Sequence, residues 1–484
     1  MTNSQAQEPP RLYGGWRRSR TLGIGLLNTG QTVVVVAAVL LPILVANVGG
    51  LDTLVVTIPL ALVVIALACW QRHGVPLLNL AVGRVRWQVA TWKGETSYRG
   101  LFQEHPRALD LPGVLAPTKL LAVEDSGGSG RVGLVWNQAT GQMAATLLLS
   151  PGGALLANRS QVNANVAAWG EVLASLANEE SVDAATVTIQ ITPSSGAALA
   201  DHVRRRIDRQ APDLARETVG ELVKAAPRAS AQLAAWFTLV TSPGRAADRP
   251  ATPAEAAAET LRRLDGVDLA GAGADVLRRA TDTDLVRLVR GAFHPEDADA
   301  PDAQMEALTW DQAGPVGHEE GKTEYEHDGA VSVSWVLREA PRKPITYDVL
   351  LPLLAPGRFT RRITIGYRVL PTEEAAAVVE RELNAADARA EYRRRTQRTT
   401  TRRERADATA AERNADQEAY GAGLAQWTIY VTTTVTDPAD LPAARREVEQ
   451  AAKRAGGLRF RYAYYGQAAA FCAGLPAGVH PLAS

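Results

Sequence analysis

Two apolar stretches near the N-terminus, Gln31 to Val48 and Leu54 to Trp70, run without a charged residue and are joined only by a short turn through Gly49, Gly50, Leu51, Asp52 and Thr53. A helix rises about 1.5 Å per residue, so stretches of this length cover most of a hydrocarbon core about 30 Å thick. The pattern predicts a two-helix transmembrane hairpin over residues 31–70, with the remaining roughly 400 residues on one side of a lipid bilayer. Pro42 and Pro59 fall mid-span. A neighbouring helix re-satisfies the backbone groups that proline frees, so partner helices are expected.

Orientation follows from the basic residues, because retained cytoplasmic flanks carry an excess of Lys and Arg. Arg11, Arg17, Arg18 and Arg20 precede the first stretch, and Arg72, Arg84, Arg86 and Lys93 follow the second. The turn between them has no basic residue and one acid, Asp52. Both termini are therefore expected in the cytosol, with residues 1–30 as a basic leader and the protein in the cell's inner (plasma) membrane. A cleaved signal peptide fits less well: the apolar stretch exceeds the usual apolar region and is followed at once by a second.

The 484 residues leave room for two or three soluble domains besides the hairpin. Net charge is zero, so no global electrostatic pull on nucleic acid or membrane is implied. The cations are mostly Arg, with six Lys, and Ala and Gly are abundant, the coding bias of a high-GC bacterial genome. Cys69 lies in the second stretch and Cys472 near the far end, which excludes a disulfide framework and a Cys-based metal site.

Beyond the membrane, alternation and helical periodicity take turns, and the fold class reads as α+β: the hairpin, then a cytosolic α/β sheet-and-helix domain with a long helical arm. After a juxtamembrane segment (71–110), a first α/β subdomain spans 111–241. Its strands are expected at Lys119 to Glu124, Val132 to Trp136, Gln142 to Ser150, Val187 to Ile191 and Ala231 to Val240, with a hairpin tip at Gly127 to Gly130. Val162, Val166, Trp169, Leu173 and Leu176 share one helical face. Further helices are expected at Ala200 to Arg209 and up to Lys224. Residues 242–330 read as a helical insertion or linker, with helices to about Leu264 and over Leu277 to Val289, then an acidic loop from His294 to Pro301.

A second α/β subdomain spans 331–484, with alternation at Val331 to Leu337 and Ile363 to Val369 around a buried apolar run, Tyr347 to Leu354. Thr372, Glu373 and Glu374 open a helix, since a hydroxyl caps and acids favour the positive end of the dipole. This begins the arm, 372–420. A strand around Ile429 to Val435, a helix carrying Leu441, Ala444, Val448 and Ala452, and a strand from Leu458 to Tyr464 form one β-α-β unit.

The chain is conspicuous for the chemistry it lacks. Gly321-Lys322-Thr323 ends like a phosphate-binding loop, but the first glycine of that motif would fall at Val316, and Glu319 and Glu320 would repel a triphosphate. His318-Glu319 begins a zinc-peptidase pattern in which Lys322 stands where the second histidine belongs. No nucleophile elbow occurs. No catalytic residue, metal site or cofactor is assigned, and the expectation is a protein that is not an enzyme. One cluster attracts attention: Arg389, Arg393, Arg394, Arg395, Arg398, Arg402, Arg403 and Arg405, against only Glu391 and Glu404. A positive helix face draws an acidic protein or lipid surface ahead of DNA; a solvated arm in an Arg-biased proteome is the plainer reading.

The first 95 residues, with the basic leader, Gly14-Gly15-Trp16, two apolar stretches, Trp70 and Gly74-Val75-Pro76, resemble the small PrgI-type inner-membrane subunit of type IV secretion and conjugation systems. Residues from about 110 onward resemble the N-terminal, non-motor half of the TraC/TraE class of conjugative ATPases. The resemblance rests on the helical arm, a strand, a helix opened by Asp440-Leu441, a glycine, and the ending Ala470-Phe471-Cys472-Ala473-Gly474-Leu475-Pro476-Ala477-Gly478. The ATP site of that class lies beyond this ending, so none of its motor residues transfers.

The resemblance implies a non-enzymatic inner-membrane scaffold of an actinobacterial-type conjugation or type IV-like secretion apparatus. It would dock a secretion ATPase supplied in trans, neighbouring channel subunits and further copies of itself. Candidate contact residues are Arg393, Arg394, Arg395, Arg402 and Arg403 on the arm and Phe471, Leu475 and Pro476 at the tail, where packing on the chain's own sheet is the alternative. Two other readings stay open: an EccE-type membrane component of type VII secretion, and a membrane-tethered enzyme.

Overall fold

The computed structural model describes residue 13 and residues 29–72, 75–99, 110–124, 130–151, 158–193, 203–208, 210–225, 231–246, 248–299, 302–339, 341, 344–396, 409, 424–456 and 458–480. The two apolar stretches form α1 (Thr29–Gly49) and α2 (Leu54–Cys69), linked by a 3-10 turn at Leu51–Thr53. Among the described residues one helix, Gln31–Gly49, is long and apolar enough to cross a membrane, and Leu54–Cys69 is a shorter apolar helix. The amide of Gln31 donates to the carbonyl of Ala68 at 2.7 Å, which ties the start of α1 to the end of α2. A two-strand turn, β1 (Gln71–Arg72) and β2 (Val75–Pro76), then leads into α3 (Leu77–Trp92).

The rest of the chain is a mixed α/β body built on one large antiparallel sheet. Its strands are β3 (Ser97–Arg99), β4 (Thr118–Glu124), β5 (Arg131–Asn137), β6 (Met143–Pro151), β7 (Val182–Pro193), β8 (Ala231–Thr241) and β9 (Ala274–Arg279). They continue with β10 (Gly317–Glu320), β11 (Tyr325–His327), β12 (Ala330–Glu339), β13 (Thr360–Val369), β14 (Ala425–Val435) and β15 (Arg459–Tyr462). The order is β3-β10-β11-β12-β14-β13-β7-β8-β6-β5-β4, with β9 beside β6 and β15 beside β12. Strands before residue 242 and strands after residue 330 thus share one sheet, joined where β7 pairs with β13.

Alternation along the central strands gives this sheet two unlike faces. One carries Leu147, Val187, Ile189, Phe237, Ile363, Val431 and Val333. The helices Arg159–Ala177 and Pro253–Asp265 cover it at one end, and Leu441–Arg454 with Leu351–Leu354 covers it at the other. The Asn158 side chain caps the first of these helices by accepting from Gln161 N, and Thr252 caps the second by accepting from Glu255 N. The opposite face carries hydroxyls. Thr146 pairs with Thr238, Thr188 with Thr364, Ser334 with Thr432 and Ser332 with Thr434, each across neighbouring strands at 2.8 to 3.0 Å.

Several expectations are corrected. Residues 242–330 are not only helical: β9, β10 and β11 all join the sheet. The helix expected over Leu277 to Val289 is Asp282–Phe293, and Leu277 lies in β9. Its start is fixed by a capping box, in which Thr281 Oγ1 accepts from Asp284 N while the Asp284 carboxylate accepts from Thr281 N. Tyr347 to Leu354 is a 3-10 turn followed by a short helix, and Leu353 is its fully buried side chain. The β-α-β unit exists in split form. β14 and β15 both pair antiparallel with β12, so they run parallel to each other on its two edges, joined by Leu441–Arg454. The hairpin tip at 125–129 and the arm beyond residue 396, apart from residue 409, lie outside the described residues.

Arg361 locks the helical layer to β13. Its buried guanidinium donates to Glu447 at 2.5 Å and to the Leu353 carbonyl at 2.8 Å. Burial lowers its pKa and Glu447 opposes that shift. Removing one partner of a buried pair strands the other charge. Glu447→Ala is therefore expected to lower stability by about 3 kcal/mol in chemical denaturation. Glu447→Gln, which keeps a hydrogen-bond acceptor, is expected to lose less.

Candidate functional site

The hydroxyl-bearing face of the sheet is closed by the chain's own C-terminal segment, residues 463–480. Its entry is pinned to β12: Ala463 N donates to Ser334 O at 3.0 Å, and the Gln467 side chain accepts from Ser334 N and donates to Ser334 O. The segment then crosses the sheet. A Cβ on Gly474 would stand 2.8 Å from Arg362 Cδ and 3.0 Å from Thr364 Oγ1, both on β13. His480 reaches Gly366 on the same strand, where a Cβ would meet its Nε2 at 2.9 Å. Gly478 sits against Ala144 of β6 with φ at +72°, a backbone conformation that suits glycine.

Under this segment lies a dense group of titratable and aromatic side chains. Arg362 is buried and its guanidinium carbon sits 4.9 Å from the centre of the Phe471 ring, the geometry of a cation–π contact. Its Nε and Nη1 find no hydrogen-bond partner among the described residues, and burial pushes its pKa down to about 10. Tyr325, His327 and Phe293 pack around Phe471 with ring centres 4.9 to 5.4 Å away. Burial pushes the neighbouring Cys472 thiol up to about 12, against the pull of Arg362, so it stays protonated at neutral pH. Glu320 accepts from Ala468 N at 3.0 Å; burial raises its pKa and that hydrogen bond opposes the rise.

His327 has a defined tautomer. A carbonyl only accepts, so Nδ1 carries the proton it gives to Phe293 O at 2.5 Å. Nε2 then accepts from Ser332 Oγ at 2.8 Å, and Thr434 Oγ1 in turn donates to Ser332. This relay ends inside the protein at both ends, and what it does chemically is fix the ring. Gly321-Lys322-Thr323, the stretch resembling a phosphate loop, is the turn of the β10–β11 hairpin. Its lysine carbonyl accepts from Tyr465 N at 3.2 Å and its ammonium lies 5.9 Å from the rings of Tyr464 and Tyr465.

The sequence-derived contact residues separate into two groups. Phe471 and Leu475 belong to the core beneath the sheet and Pro476 is buried beside them, so none of the three presents a surface to a partner. The tail packs on its own sheet. Arg393, Arg394 and Arg395 fall in the helix Thr372–Thr396. Arg394 and Arg395 are about four-fifths exposed and both reach Glu391, at 3.1 Å. Arg402 and Arg403 lie outside the described residues. Sequence reading missed Arg362, Tyr325, His327 and Asp328, although Asp328-Gly329 is a two-residue hairpin signal. Asp328 takes φ +44° and its carboxylate accepts from Val316 N, Gly317 N and Arg290. Arg290 also binds Asp297, and both line a surface cleft of about 500 Å³ with His294, Gln304 and Asp311.

The chain matches no protein-family model and no curated protein.

Two outcomes are expected. Gly478→Ala combines a strained φ with a Cβ 2.9 Å from Ala144 Cβ, and is expected to lower stability by about 1–3 kcal/mol in denaturant titration. The second concerns acid. Burial pushes His318, His327 and His480 each down to about 4 from an ordinary value of 6.5. Between those values the unfolded chain binds protons that the folded chain refuses. The histidines' contribution to stability is therefore complete above about pH 6.5 and falls as pH drops toward 4, by about 1.4 kcal/mol per pH unit for each histidine. Denaturation midpoints from pH 7 to 4 measure the slope, and His327→Gln is expected to flatten it by about one third.

Proposed function

We propose that this protein is a bilayer-anchored, non-enzymatic scaffold of a conjugation or type IV-like secretion apparatus in the inner membrane. In this reading α1 and α2 form a hairpin through the bilayer, with both termini and the α/β body in the cytosol. The observation that carries it is the exposure of α1: Val33, Val39, Leu41, Ile43 and Leu44 stand clear of the body, and Val55, Val56 and Leu62 do the same on α2. Apolar surface left in water costs about 25 cal/mol per Å², and lipid removes that cost. The Gln31–Ala68 hydrogen bond supports a paired hairpin, since an amide in hydrocarbon needs a partner. Basic flanks on both ends and none in the turn support the orientation.

The body's role as a scaffold is supported by what its charged groups do. Arg362, Glu320 and His327 are covered by the tail, while Arg394 and Arg395 project into solvent from a long helix. Docking is therefore assigned to the arm and not to the tail. Its partner is an acidic face of a separately encoded secretion ATPase, with channel subunits meeting the hairpin.

Expression of the full-length chain in a bacterial host tests the proposal. The protein is expected to stay in the membrane pellet through alkaline carbonate, and a C-terminal tag is expected to resist external protease until the inner membrane is opened. Arg393→Glu, Arg394→Glu and Arg395→Glu together are expected to cut co-purification of an ATPase encoded beside the chain several-fold, with membrane retention unchanged. Carbonate release or an externally exposed tag would end the anchor reading; nucleotide turnover by the purified chain would end the non-enzymatic one.

A further inference from the structure

The helix α3 presents two opposite faces. At 100° per residue, Val82, Val85, Val89 and Trp92 fall within about a quarter of its circumference, and all four are exposed, Trp92 to 88 %. Gly83 and Trp87 lie on the other side and dock on the body, with Trp87 and Tyr465 ring centres 5.8 Å apart. Arg86 and Lys93 flank the apolar stripe on one side, Arg84 and Gln88 on the other, and all four are exposed. Leu77 N donates to Trp70 O at 2.8 Å, so the helix starts against the end of α2.

We infer that α3 lies in the plane of the cytosolic bilayer interface, with Val82, Val85, Val89 and Trp92 at the acyl boundary and Arg84, Arg86 and Lys93 among the headgroups. The inference rests on the reading that α1 enters the bilayer. Continuity with α2 places α3 within reach of lipid, and an apolar stripe bordered by cations with a terminal tryptophan is the chemistry of an in-plane helix. The body hangs from its opposite face through Trp87.

The test is collisional quenching of spin labels on the full chain in phosphatidylcholine–phosphatidylglycerol vesicles. Labels are placed one at a time at Val82→Cys, Val85→Cys, Val89→Cys, Arg84→Cys, Gln88→Cys and, as a control, Leu40→Cys in α1, in a Cys69→Ser background that leaves the buried Cys472. Stripe positions are expected to favour oxygen over a water-soluble nickel chelate several-fold more than positions 84 and 88. Equal quenching at all α3 positions, with the Leu40 label still embedded, overturns the interfacial helix and leaves the anchor standing. A stripe shielded from both quenchers means a protein covers it and overturns the inference as well. An aqueous Leu40 label overturns the anchor and this inference together. Val85→Glu with Val89→Glu, both at exposed positions, is expected to lift a label at position 82 out of the lipid while the chain stays membrane-bound; an unchanged label depth would count against the proposal.

Discussion

Closure of the hydroxyl face by residues 463–480 is the constraint on which the rest of the body depends. A sheet with one apolar and one polar face normally leaves the polar face to water. Here Thr188, Thr364, Ser332 and Ser334 are almost wholly buried, and their oxygens are satisfied by pairing across strands. Burying an unpaired hydroxyl costs on the order of 1–3 kcal/mol, whereas a pair made in register removes that penalty. The register that brings Thr188 opposite Thr364, and Ser334 opposite Thr432, therefore does more than align strands. It makes the face fit to be covered, and the tail, with glycine at 474 and 478, lies close enough to cover it.

Arg362 is the costly member of that layer. It stands in β13 between Gln190 and Thr432, buried, with no carboxylate to pair with among the described residues. Compensation comes from the face of Phe471 and from surrounding dipoles, which is weaker than a salt bridge and geometrically demanding. The arrangement orders the tail: Phe471 has to sit over the guanidinium, and Gly474 has to pass above Cδ. Cys472 and His327 in the same layer are held neutral by the same burial, which sets Arg362 beside uncharged neighbours.

The legible parts of the sequence were those in which side-chain pattern and neighbours are local. The apolar helices, the β4 to β6 meander, the Thr372 helix start and the alternation in β13 and β14 all follow from residues close in the chain. The alternation of Val187, Ile189 and Ile191 with threonines reads as a half-buried strand, and that reading fails on one count. Period-2 alternation states which side chains share a face but not whether that face meets water. What decides it is a segment some 280 residues later. β9, β10 and β11 were missed for a related reason. They are short and carry Asp, Arg, His and Glu, and their strand character comes from the strands they bind: β6 for β9, β12 for β11, and β11 with β3 for β10.

The helix α3 and the tail meet at Tyr465. Trp87 of α3 packs on Tyr465, a non-glycine residue held at φ +60°, and Tyr465 N is bonded to Lys322 O in the β10–β11 turn. Two residues further on, Gln467 grips β12 through both its amide atoms. A pull on α3 is therefore delivered to the start of the segment that closes the sheet, not to a loose linker. The chain from α2 through α3 to residue 480 forms one mechanical path from the apolar helices to the polar layer. In the membrane-anchored reading proposed above, such a path would set the attitude of the body, whereas a flexible tether transmits position without orientation.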